Sequence, residues 1–203
     1  GSYYATLKVA VRTSSTGSGT VYASADDSAT SGKDSATDSA SYDKNTQSGV
    51  NVELYGYAKP DVDSCFGGWY SDSEKIGTDL KCKRTIFTNG GATSPKTETI
   101  EAEFLACDHQ FSYTKSGLTI SRTCTVANCG YGAAHSVTLA SEPTEFVTDG
   151  TPHGLTATPE NCTSTHDTYS ITYYLASDTG RANPSADAPV DGGTYVARLT
   201  FGD

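Results

Sequence analysis

Ala5-Thr6-Leu7-Lys8-Val9-Ala10-Val11-Arg12 places Leu7, Val9 and Val11 at alternate positions, with the polar chains falling between them. Alternate residues of an extended chain share a face, so this period of two predicts a half-buried β-strand. The same alternation returns in Val50, Val52 and Leu54, and in Thr99-Ile100-Glu101-Ala102-Glu103-Phe104. In the last stretch Ile100, Ala102 and Phe104 point one way, and Glu101 and Glu103 the other. Gly19-Thr20-Val21-Tyr22-Ala23 follows a Thr-Gly-Ser-Gly turn and predicts a hairpin with the first strand. Phe66 and the only Trp, Trp69, are the expected core anchors. No stretch supports a long amphipathic helix, so the fold class expected is all-β or mainly β, with room for one short helix in the first half.

Between these strands, residues 24–48 are Ser, Asp, Ala, Thr and Gly with almost nothing apolar. Such a stretch has little to bury and predicts a long polar excursion, a Ser/Asp-rich loop. A boundary falls near Leu105-Ala106, giving two modules, residues 3–105 and 106–203. The second half turns at Lys115-Ser116-Gly117 and returns through Leu118, Ile120 and Cys124. Strands are then predicted over residues 136–140, 144–147, 154–157, 169–175 and 194–201, at the spacing of a small β-sandwich. Tyr195, Ala197, Leu199 and Phe201 form the inward row of the last.

The chain has 203 residues and a formal net charge of −10, which argues against nucleic-acid partners because phosphates would repel it. No run approaches the roughly 20 apolar residues of a membrane span. No Met occurs, and Gly1-Ser2 resembles a cloning scar, so the expectation is a piece of a larger protein. Six cysteines, Cys65, Cys82, Cys107, Cys124, Cys129 and Cys162, form an even set among Ser/Thr-rich strands. This reads as disulfides made outside the cytosol, although six cysteines allow about 15 pairings. The pairs favoured by position are Cys65 with Cys82, Cys124 with Cys129, and Cys107 with Cys162.

Cys107, His109, Cys124 and Cys129 have the composition of a Cys₃His zinc site. Their C-x-H and C-x₄-C spacings match the usual zinc patterns poorly, and an oxidising compartment disfavours thiolates, so no metal and no cofactor are expected. Asp61 with Asp63, and Glu101 with Glu103, are paired carboxylates read as solvated exterior charges. No G-x-S-x-G elbow occurs, and His109, His135, His153 and His166 lie in loop-like or strand-end contexts. No catalytic residues are assigned, and the chain is expected not to be an enzyme.

Two resemblances rest on motifs. Gly17-Ser18-Gly19-Thr20-Val21, Val52-Glu53-Leu54-Tyr55-Gly56-Tyr57-Ala58-Lys59-Pro60, Phe66-Gly67-Gly68-Trp69-Tyr70 and Ile100-Glu101-Ala102-Glu103-Phe104 resemble a divergent InlB B-type bacterial surface repeat over about residues 3–104. The likeness implies a β-grasp-like module, and the chain departs from it in the Ser/Asp insertion and in Cys65 and Cys82. Ile171-Thr172-Tyr173-Tyr174 and Ala188-Pro189-Val190-Asp191-Gly192-Gly193-Thr194-Tyr195-Val196 are similar to MBG-type repeats of secreted adhesins. That likeness implies an Ig-like β-sandwich over about residues 107–203. Together they imply a non-catalytic structural or interaction module of a secreted or cell-surface bacterial protein, an adhesin-type stalk or spacer. Its partners would be neighbouring repeats of the same parent chain. The alternative is a module binding a host glycan or matrix protein through exposed Tyr55, Tyr57, Tyr173 and Tyr174.

Overall fold

A computed structural model describes residues 1–45 and 48–203 and is all-β, with no helix among the described residues. The chain divides into two units, Gly1–His109 with Val126–Gly130, and Gln110–Thr125 with Tyr131–Asp203. The boundary expected near Leu105 therefore lies at His109, and the first unit reclaims a short later segment.

The first unit has eight strands: β1 (Ser2–Val11), β2 (Gly19–Ser24), β3 (Ser35–Ser41), β4 (Val50–Pro60), β5 (Ser64–Ser71), β6 (Glu74–Gly77), β7 (Lys81–Thr88) and β8 (Lys96–Ala106). They form a five-stranded sheet in the order β3-β1-β8-β5-β6 and a three-stranded sheet in the order β2-β4-β7. β1 and β8 run parallel, with Val9 opposite Ile100, and every other pairing is antiparallel. The predicted alternation holds for Leu7 and Val9 but not for Val11, which is exposed at the strand's end; Leu7, Ile100, Ala102 and Phe104 are fully buried, and so are Leu54 and Trp69. These chains from both sheets make one core, so the unit is a two-sheet sandwich rather than the β-grasp-like module that the motif likeness implied. Aromatic edges meet inside it, with the Phe66 and Trp69 ring centroids 5.7 Å apart. The indole Nε1 donates to Asp79 O at 3.1 Å, which satisfies the one polar atom of an otherwise apolar anchor.

Two local expectations change. β2 pairs with β4 and not with β1, because the turn after β1 carries the chain to the opposite sheet. The Ser/Asp-rich stretch is not one loop. Its residues 35–41 are β3, an edge strand registered along β1 from Ser2↔Ser41 to Lys8↔Ser35. An edge strand needs few large apolar chains; here Ala36, Ala40 and neighbouring Tyr42 lean on the core, and Tyr42 stacks on Tyr3. Thr46 and Gln47, the part of that stretch nearest its end, lie outside the described residues.

The second unit contains β9 (Phe111–Ser116), β10 (Thr119–Cys124), β11 (His135–Leu139), β12 (Ala157–Glu160), β13 (Tyr169–Leu175) and β14 (Tyr195–Phe201). One sheet runs β12-β11-β10-β9, and β13 pairs with β14 in another. Gly117 supplies the positive φ of the β9–β10 turn, at 57°. The strand predicted over residues 144–147 does not form, and β12 begins where the strand over 154–157 was expected to end. The last strand follows its predicted pattern, with Phe201 buried, Tyr195, Ala197 and Leu199 half-buried, and Arg198 and Thr200 exposed. No helix of the structure is long and apolar enough to cross a membrane.

Candidate metal centre and a buried polar network

The disulfide expectation does not survive the period-two geometry of β5. Ser64 and Phe66 face the core, which turns Cys65 to the other side, while Cys82 of β7 faces inward among apolar chains. Cys65 and Cys82 are both free thiols, one on the outer face of the five-stranded sheet and the other on the inner face of the three-stranded sheet. Burial pushes the Cys82 thiol up, as expected of an inert core cysteine. Cys162, expected to bond to Cys107, is also a free thiol and donates toward Ser136 O at 3.4 Å. Burial raises its thiol as well.

Cys107, His109, Cys124 and Cys129 are brought together instead, with ligand atoms that all lie within 4.8 Å of one another. Cys107 Sγ is 3.3 Å from Cys129 Sγ, far outside the roughly 2.05 Å of a disulfide bond. Cys129 Sγ is 3.4 Å from His109 Nδ1. Cys107 and His109 lie two residues apart in the run between β8 and β9, and the C-x-H pair is brought to Cys129 despite its poor match to the usual zinc spacings. Cys129 is placed by a backbone bridge to Cys65, flanked by Phe66 N donating to Asn128 O and Gly130 N donating to Ser64 O. Gly130 is required there: a Cβ at this position would stand 1.9 Å from Asp61 O. Cys124 ends β10, two residues before Val126, where the chain re-enters the first unit. That covalent link alone keeps its thiol within a few residues' reach of Cys129.

His109 has a second partner, Asp63. Its Nε2 lies 2.9 Å from Asp63 Oδ1 and its side chain is 3 % exposed. A proton on Nε2 donates to the carboxylate and leaves the Nδ1 lone pair directed at the sulfurs. The Cys107 amide donates to Asp63 O, which fixes the same turn from the backbone. Asp63 does not converge with Asp61, whose carboxylate accepts from Ser18 Oγ at 2.7 Å. Glu101 lies 3.4 Å from Arg12, and Glu103 accepts from Ser14 Oγ, both on the face away from Ile100 and Phe104.

A second cluster lies inside the second unit. Arg122 is 1 % exposed and its guanidinium stands 3.7 Å from the Phe111 ring centroid and 4.6 Å from that of Phe201. It donates to Tyr131 Oη, Tyr113 Oη, His166 O and Asp167 Oδ1 at 2.6–3.1 Å. Asp167 also accepts from Tyr131 Oη at 2.6 Å, His135 Nδ1 at 2.6 Å and the Ser164 amide at 3.0 Å. Burial pushes the Asp167 carboxyl up, but the bonds from Tyr131, His135, Arg122 and Ser164 outweigh it and hold it below its ordinary value of 3.8. Burial, reinforced by the bond to Asp167, raises the Tyr131 phenol, so it stays a donor. His135 Nε2 faces Tyr131 O at 2.9 Å, so both ring nitrogens stand against acceptors within the fold. Arg122 shares an inward face with Ile120 on β10. A lone Arg in an apolar row was the only sequence sign of this network, and Asp167, in a loop of Ser and Thr, gave none.

The tyrosines expected to be exposed are largely covered. Tyr55, Tyr173 and Tyr174 are buried. Tyr55 and Tyr57 do face away from Leu54, but the loop after β2 lies over that face. Tyr57 Oη donates to Asp26 O at 2.7 Å, Tyr22 Oη donates to Ala29 O at 3.1 Å, and the Tyr22 and Tyr57 rings stack at 4.8 Å. Tyr173 Oη accepts from Leu155 N at 3.0 Å, and Arg198 and Arg181 lie over the Tyr174 ring.

No family model matches this chain, and no curated protein or solved structure does.

Proposed function

We propose that the chain is a non-catalytic structural and interaction module of a secreted or cell-surface bacterial protein, a spacer whose neighbours are further repeats of its parent chain. One observation carries this reading: Arg122, Tyr131, His135 and Asp167 of the second unit face inward and are spent on each other. Asp167 alone accepts from Arg122, Tyr131, His135 and the Ser164 amide. Charges used this way fix a sandwich in one arrangement and are not presented to a substrate. Among the described residues, no buried side-chain nitrogen or oxygen lacks a hydrogen-bond partner. The placement outside the cell rests on the acidic, Ser/Thr-rich composition and the two motif likenesses. The thiols found at Cys65, Cys82 and Cys162 withdraw the support that disulfides would have given it.

Surface labelling of intact source cells tests the location, and a glycan and matrix-protein array tests the role. A spacer is labelled from outside and retains no ligand at high micromolar concentration. Protein found only inside the cell overturns the first half. A retained ligand whose binding is lost in a folded Tyr57→Ala variant overturns the second in favour of a binding module.

A further inference from the structure

We propose that Cys107, His109, Cys124 and Cys129 bind one zinc ion as a closed structural Cys₃His site, with Asp63 as the positioning residue for His109. In a tetrahedral site, Zn–S is about 2.3 Å and Zn–N about 2.0–2.1 Å, which sets S···S near 3.8 Å and S···N near 3.5 Å. The separations here are 3.3 Å between Cys107 and Cys129 sulfurs and 3.4 Å from Cys129 Sγ to His109 Nδ1, with all four ligand atoms inside 4.8 Å. The two measured separations lie within about 0.5 Å of those of such a site.

The donor set selects the metal. Thiolates together with imidazole in a tetrahedron suit zinc, whereas hard oxygen-seeking cations would reject three sulfurs. Four protein ligands leave no open position for water or substrate, so the role is structural. Asp63 is the independent observation. Its carboxylate accepts a hydrogen bond from His109 Nε2–H at 2.9 Å, which directs Nδ1 at the sulfurs, the arrangement that orients and strengthens a metal-binding histidine. Binding replaces the thiol and any imidazole protons at the four ligand atoms by one divalent cation and releases those protons to solvent. This inference does not depend on the spacer reading, since a structural zinc site serves either a spacer or a binding module.

The test is metal analysis of the full chain, kept reduced and never exposed to chelator. About one zinc per chain is expected, and replacement by Co²⁺ should give the visible bands of tetrahedral thiolate coordination. Cys107→Ser and Cys129→Ser should each lose stoichiometric metal, while Cys65→Ser and Cys162→Ser keep it. Cys124→Ser should likewise lose the metal, since the closed site has only these four ligands. Asp63→Asn should keep the stoichiometry and the cobalt spectrum but weaken zinc about 10–100-fold in competition with a chelating dye. If a cysteine variant fails to fold, the cobalt titration of the unaltered chain decides alone. Zinc far below one per chain with no tetrahedral cobalt spectrum overturns the proposal. So does metal retained in full by a folded Cys107→Ser/Cys129→Ser double variant.

Discussion

The two units solve the same problem, filling the space between small β-sheets, with opposite materials. The first uses Leu7, Leu54, Trp69, Ile100 and Phe104, all buried, around one indole N–H that reaches a backbone carbonyl. The second places Arg122, Asp167, His135 and Tyr131 where the first has hydrocarbon. An apolar core tolerates changes that keep its volume and degrades in proportion to the cavity left behind. A saturated polar core depends on every member, since removing one strands the others away from water. The units should therefore differ in how they fail more than in how stable they are.

The largest effects come from removing the central group of each. Trp69→Ala should cost the first unit about 3–5 kcal/mol through the cavity it leaves. Asp167→Ala should cost the second about 3–5 kcal/mol, because Arg122 stays buried without its carboxylate. The contrast lies in rescue: Trp69→Phe should recover much of the first loss, while Asp167→Asn should recover little of the second, having no charge to offer Arg122. Urea unfolding followed by far-ultraviolet circular dichroism checks both. Equal rescue in the two units would break the distinction.

Acid should separate the units next. The Asp167 carboxyl is held below 3.8 in the folded chain, so it contributes stability that is fully present above that ordinary value. The contribution is lost as pH falls below 3.8 toward the folded value, where the proton binds the unfolded chain first. Among the described residues no comparable carboxylate lies in the first core, so Trp69 and its neighbours feel no such loss. Hydrogen exchange between pH 6 and pH 3 should show β10 and β11 amides losing protection ahead of those of β1 and β8. Simultaneous loss would mean that Asp167 is not what holds the second unit.

How much of this could be read from the chain follows the same division. Hydrophobic alternation exposed the first core nearly residue by residue, down to Ile100, Ala102 and Phe104 facing away from Glu101 and Glu103. It could not reveal β3, since a Ser- and Ala-rich edge strand is specified by backbone pairing along β1 and carries almost no apolar signal. The second core was invisible for a different reason. Arg122 and Asp167 stand 45 residues apart, and nothing local marks two charges as partners. The cysteines were misjudged by counting: an even number suggested bridges, whereas strand alternation turns Cys65 and Cys82 apart. The four metal-ligating residue types were recognisable, but their spacing matches no usual zinc pattern, because the fold and not the local sequence brings Cys107 and His109 beside Cys129.

A smaller effect sharpens the comparison from within the first unit, where one polar side chain is buried as completely as the hydrocarbon. Thr88 is 1 % exposed, donates to Tyr4 O at 2.7 Å and accepts from Gly90 N at 3.0 Å. Thr88→Val keeps the volume and removes both bonds, and should cost about 1–3 kcal/mol. The loss should remain at that scale because neither partner is a charge. A cost matching that of Asp167→Ala would show that the first core, too, depends on a polar keystone.

The smallest effect concerns the loop that covers the outer tyrosines. Lys81 and Asp27 form an exposed ion pair beside Tyr55, and that carboxylate's hydrogen bond, the largest cause, raises the Lys81 ammonium above its ordinary value. Exposed pairs contribute little to global stability, so Lys81→Ala should leave the urea midpoint unchanged within error. Its consequence is local. Tyr57 Oη still bonds Asp26 O and Tyr22 Oη still bonds Ala29 O, but the loop loses its one ionic tether to β7. Faster exchange of amides in residues 26–30, with β4 and β7 unaffected, is the expected result. If the same variant also gained a ligand on the glycan array, the Tyr22–Tyr57 stack would be a binding face that this loop normally shuts, and the sheet bearing it would be more than a spacer.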